Sequence, residues 1–184
     1  MKKLFATILG SLFISAILVS CGPSTDDAIK YNDELVSQQT KVFEKESALI
    51  EAISKNMPEK FDALLAELSV QVDSSAAAVK KMESFDGKTD MKDAALKVFT
   101  TYRSIVDSSY AEMIKYAKTP DSLYTQEDVD MVIELSKKID DKLNKTVEAF
   151  VEVQKTFAAK YKFELNGTET DIEKTDTKDA KKNE

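Results

Sequence analysis

Asn32, Gln39 and Glu46 recur every seven residues, and each lies between two columns of apolar side chains rather than opposite them. One column is Ile29, Val36, Phe43, Ile50 and Met57; the other is Leu35, Val42 and Leu49. At ~100° per residue of α-helix, three polar groups therefore sit inside an apolar stripe. Gln71 and Ser75, Tyr102 and Ser109, and Ser136 and Thr146 fall near apolar faces elsewhere in the chain. Counting back from the predicted turns at ~1.5 Å per residue groups these residues into two layers. One layer holds Glu46, Gln71, Ser109 and Ser136; the other holds Gln39, Ser75, Tyr102 and Thr146. Such a seam can be a polar pocket for a small ligand or cation. It can equally be an internal network that fixes helix register. A buried carboxylate without a basic partner is costly, so among these residues Glu46 is the first candidate to be protonated, solvated or linked to a ligand.

The residue types that are missing narrow the chemistry. The chain has no histidine, no tryptophan and one cysteine, Cys21. The commonest general base and metal ligand are therefore absent, and no disulfide can form within one chain. Paired Glu-x-x-His motifs, the mark of di-metal helical bundles, are excluded. No Gly-x-Ser-x-Gly elbow activates a serine. The expectation is a protein without catalytic residues, metal ligands or a dissociable cofactor, and not an enzyme.

Four glycines and three prolines in 184 residues leave room for long helices. Ser24 and Asp27 have capping-box spacing ahead of a first helix that runs to about Asn56. Pro58 suits the first turn of a second helix, which continues to about Glu83. The stretch 84–90 reads as a loop, with Thr89 or Asp90 capping a third helix that runs to about Lys118. Thr125 and Asp128 cap a fourth, ending near Phe163, with Asn166-Gly167 as the stop signal. Short connections make neighbours antiparallel, so the spacing predicts an all-α, up-down-up-down four-helix bundle over 26–165. The alternating charged and small polar residues of 166–184 read as a disordered tail.

Before that bundle, Lys2-Lys3 precede an apolar run from Leu4 to Val19 that is shorter than the ~20 residues of a bilayer span. The run meets Leu18-Val19-Ser20-Cys21, which resembles the bacterial lipobox. That resemblance implies a signal peptide over 1–20, cleavage between Ser20 and Cys21, and diacylglycerol on the Cys21 thiol, with an N-acyl chain possible on the new terminus. Residues 21–25 then form a short anchor linker. Two or more acyl chains give stable membrane attachment where one does not. Gly22 carries no inner-membrane retention signal, and Asp26-Asp27 look like a weak acidic export signal or simply favour a helix N-terminus. An outer-membrane or cell-surface location is the expectation, with the periplasmic face as the alternative. Without Lys2 and Lys3, 24 basic residues oppose 33 acidic ones, a net charge of −9. That balance disfavours nucleic acid and direct docking on anionic lipid.

The segment Tyr31-Asn32-Asp33-Glu34-Leu35-Val36-Ser37-Gln38-Gln39, with Tyr124-Thr125-Gln126-Glu127-Asp128, resembles an uncharacterised family of small surface lipoproteins of Bacteroidetes and spirochaetes. Over Asp26 to Leu165 the resemblance implies a location and a helical fold. It implies no chemistry, and the partner, protein or small ligand, stays open.

Overall fold

The computed structural model describes residues 22–120 and 122–165. The expected leader, the Ser20/Cys21 cleavage and lipidation site, and the tail 166–184 lie outside the described residues.

Helix α1, Thr25–Ser54, begins at a reciprocal capping box. The Asp27 N–H donates to the Ser24 hydroxyl at 3.1 Å, and the Ser24 N–H donates to the Asp27 carboxylate at 3.0 Å. Two of the helix's unpaired donors are thereby satisfied. The Ser24 hydroxyl, which donates to the Asp27 carboxylate at 2.6 Å, and then the Ser24 N–H hold that carboxyl below its ordinary pKa. Asn56 ends the helix in the left-handed region at φ 49°, and Pro58 starts α2, Pro58–Lys81, at the position where a missing N–H is harmless. The Lys92 ammonium closes the far end of α2 by donating to the carbonyls of Lys80 and Met82, at 2.9 and 2.6 Å. The following loop turns through Asp86 at φ 53° and Gly87 at φ 69°. A Cβ on Gly87 would meet nothing within 4 Å, so only the backbone angle favours glycine there.

Helix α3, Asp90–Ile105, passes into a π-helical turn, Val106–Tyr110, and then into α4, Ala111–Ala117. The junction residues all keep right-handed helical angles, so the three form one rod. A second capping box, Thr125 with Asp128, starts α5, Gln126–Tyr161. Helix α5 stops before the predicted Asn-Gly signal. Lys162 adopts φ 59°, and the Phe163 N–H donates to the Ala158 carbonyl at 3.1 Å. This folds the Phe163 ring back onto Phe157, with centroids 6.0 Å apart, and the apolar contact replaces glycine as the stop.

Four antiparallel rods thus make an all-α bundle, and among the described residues no strand forms. Leu35, Val42, Leu49, Phe61, Leu68, Phe99, Ile105 and Phe150 fill the centre. Each such side chain contributes roughly 1.5–3 kcal/mol on leaving water. One column of α1 corrects the sequence reading. Leu35, Val42 and Leu49 are fully buried, whereas Val36, Phe43 and Ile50 are 38, 62 and 50 % exposed. The Val36 column lies one residue, ~100°, from the centre of the buried arc, and no neighbouring rod covers it. The rods pack in a ring, α1 on α2, α2 on α3–α4, and α3–α4 on α5; the closing seam between α5 and α1 is much the thinnest.

The base of the bundle is pinned by aromatics. Phe85, from the α2–α3 loop, sits 5.0 Å from Tyr31 of α1 and 5.2 and 5.0 Å from Phe157 and Tyr161 of α5, centroid to centroid. Lys160 and the Tyr161 hydroxyl both donate to Asp86 at 2.8 Å. The Thr25 hydroxyl donates to the Tyr161 carbonyl at 2.9 Å and joins the start of α1 to the end of α5. Among the described residues, no helix is long and apolar enough to cross a membrane.

Candidate functional site

Glu46 is 5 % exposed. Its two oxygens accept hydrogen bonds from the Tyr102 hydroxyl at 2.7 Å and the Tyr110 hydroxyl at 2.6 Å. Burial raises the Glu46 pKa; the bonds from Tyr110 and Tyr102 oppose that, and Asp140 adds to it. Burial and the nearby Glu46 charge push both phenols far above their ordinary range, so they remain donors at every physiological pH. Among the described residues, no basic side chain pairs with Glu46.

Two tyrosines meet one carboxylate because of the π turn. Residues eight apart on an α-helix point ~80° away from each other, whereas residues seven apart point within ~20°. The π turn accommodates one extra residue, so Tyr102 and Tyr110 face the same way as if seven apart. Deleting the exposed Ser108 should convert the turn to plain α-helix and keep both hydroxyls on Glu46. The expected loss in unfolding free energy is below ~1 kcal/mol, read by chemical denaturation. Deleting the exposed Lys97 instead should cost at least ~3 kcal/mol. It rotates one side of α3 by ~100° and turns buried residues such as Met91 and Ala95 out of the core.

The other predicted polar residues separate into smaller groups. Gln71 donates to the Ser75 hydroxyl at 3.0 Å, and buried Ser75 donates to the Gln38 carbonyl at 3.1 Å, stitching α2 to α1. The hydroxyls of Thr101 and Thr146 lie 3.2 Å apart and link α3 to α5. Ser109 is buried within the π turn, while Ser136 is exposed. The two predicted layers therefore do not form as drawn. Glu46 meets Tyr102 from the other layer, Gln71 meets Ser75, and Thr146 meets Thr101. The extra residue of the π turn shifts the register that a uniform helix count assumes.

Asn32 and Gln39 stand apart from the Glu46 tie. They border a cleft of about 320 Å³ on the thin α1–α5 seam, together with Asp33, Val36, Val147, Phe150 and Gln154. Phe163 and Leu165, just past the end of α5, line it as well. The Gln154 amide donates to the Asn32 carbonyl oxygen at 2.8 Å, and both residues are buried, at 3 and 7 % exposure. Gln39 has its amide nitrogen buried without a hydrogen-bond partner. A second cleft, of about 200 Å³, lies farther along the same seam between Ile50, Ile53, Val132 and Ile139, where Tyr110 and Asp140 reach its wall. Sequence reading missed Gln154, Tyr110 and Phe85; an eight-residue spacing and a loop aromatic carry no helical-face signal.

No family model, curated protein or solved structure matches the chain.

Proposed function

We propose that this chain is a lipid-anchored, non-enzymatic binding module of the bacterial envelope that makes its contacts along the α1–α5 seam. The observation that carries the binding reading is that seam. It is the one closure of the ring left thin. It carries the cleft beside Asn32 and Gln39 and the exposed row Val36, Phe43 and Ile50. Apolar side chains exposed in a row along one face suit a contact surface. The Glu46–tyrosine tie is buried, and its carboxylate oxygens are both engaged by the two hydroxyls, which fits a structural role.

The anchor rests on the lipobox-like Leu18-Val19-Ser20-Cys21 and on the resemblance of 31–39 and 124–128 to surface lipoproteins. A capping box only a few residues after Cys21 suits an anchor placed close beneath the bundle.

Two measurements test the reading. Labelled palmitate should enter the wild-type chain in cells and not the Cys21→Ser variant; equal labelling would overturn the anchor, and protease shaving of intact cells then reports the membrane face. A photo-crosslinking residue placed at position 43 should give adducts in intact cells. The same residue at position 70, where Val70 is 65 % exposed on α2, should give none. Equal yields, or none at position 43, would remove the seam as the contact surface.

A further inference from the structure

The geometry points to an uncharged sugar as the ligand of the α1–α5 cleft; this rests on the seam being the binding surface. Its polar lining is dominated by three carboxamides, Asn32, Gln39 and Gln154. A carboxamide presents an acceptor and a two-proton donor in one plane, and a sugar hydroxyl both donates and accepts. Neighbouring hydroxyls on a pyranose ring can therefore bridge the two halves of an amide. Asn32 and Gln154 are already ordered by their mutual bond and by burial, so little freedom is lost when a ligand arrives.

Gln39 supplies the second, independent observation. A buried donor left unpaired is disfavoured unless something else offers an acceptor. Gln39 lines the cleft, and its amide nitrogen, closed to solvent, finds no acceptor in the protein. A turn about the soft terminal torsion of its side chain would present that nitrogen to a ligand hydroxyl.

Charge argues against anions and cations as the ligand. No lysine or arginine lines the cleft, whereas Asp33 and Glu164 do. Phosphates and carboxylates are therefore repelled. Both acids are exposed, so neither offers the desolvated charge that would select a cation. The apolar walls, Val36, Val147 and Phe163 among them, suit the C–H face of a sugar ring. The volume lies at the small end of ordinary ligand pockets, which begin near ~300 Å³.

Saturation-transfer NMR on the full chain tests this, in a zwitterionic detergent without a sugar headgroup. The probes are glucose, galactose and N-acetylglucosamine, with inorganic phosphate, followed by phosphorus NMR, and trialanine amide as comparisons. Saturation should reach the ring protons of at least one sugar, and phosphate and peptide should show no binding. Gln39→Leu should weaken that sugar's binding about tenfold, the loss expected for one good hydrogen bond. It should also raise the melting temperature, because it removes the orphaned donor. Those opposite signs separate a binding role from a merely structural one. Val70→Ser, on the exposed face of α2 away from the seam, should leave sugar binding unchanged. No transfer to any of the sugars, transfer to the peptide alone, or sugar binding indifferent to Gln39→Leu would overturn the proposal. Crosslinking at position 43 that persists alongside such a failure would leave the seam a contact surface for another ligand; loss of both would remove the seam itself.

Discussion

Near neutral pH, replacing Tyr102 and Tyr110 together by phenylalanine should lower the free energy of unfolding by roughly 3–5 kcal/mol. Each substitution removes a hydrogen bond to a buried carboxylate, worth about 1.5–3 kcal/mol. The bonds lost are those at 2.7 and 2.6 Å. Glu46 would then be left 5 % exposed with neither donor. It can relieve the strain only by taking up a proton, which caps the loss. Against a typical total of ~5–15 kcal/mol, the double variant should be marginal. Adding Glu46→Leu should restore stability to within about 1 kcal/mol of wild type, because an all-apolar version leaves no polar group stranded. Urea denaturation of the three proteins checks this. A double variant within ~0.5 kcal/mol of wild type would mean that the tyrosines do not hold the carboxylate.

The same group sets a pH dependence with a defined sign. Burial raises the folded-state pKa of Glu46 above its ordinary 4.5, so the folded chain binds that proton more tightly than the unfolded chain does. Its contribution to stability is fully present below 4.5 and is lost as pH rises through the raised folded value. Glu46→Gln cannot titrate. The variant should therefore gain on the wild type as pH rises from the ordinary carboxylate range toward neutrality, and the two melting curves should converge in acid.

The second large effect distinguishes two phenylalanines that hydrophobicity alone treats alike. Phe99→Ala should cost about 3–5 kcal/mol, because it empties a packed site; Phe99 is 1 % exposed. Phe43→Ala should change stability by no more than about 0.5 kcal/mol, since Phe43 is 62 % exposed. Equal losses at the two positions would place Phe43 inside the core and remove the exposed row.

These contrasts mark where the sequence was readable. Local chemistry was plain: both capping boxes, the Asn56 turn and the Pro58 start are short-range devices whose residues carry the information themselves. Face assignment was harder. On α1, two apolar columns differ by one residue, and only the partner rods decide which is covered. Glu46 and Tyr102 could both be recognised as polar residues within apolar faces, yet the second donor, Tyr110, could not be, because the π turn that aims it at Glu46 has no sequence signature. Gln154 lies 122 residues from Asn32 along the chain. Their bond depends on how the ring of helices closes, which no local pattern encodes.

The bond between Thr25 and Tyr161 has a consequence for connectivity. It brings together residues 136 apart in sequence, so the chain leaves the bundle almost where it entered. A short glycine-rich bridge from Leu165 to Gly22 would span that gap, and new termini could be opened between Leu123 and Tyr124, two exposed residues at the opposite end. Such a circular permutant keeps every helix contact while rearranging the order of synthesis, so that α5 comes first and α4 last. In the permutant, α5 and α1 become consecutive, and the thinnest seam becomes the one between sequence neighbours.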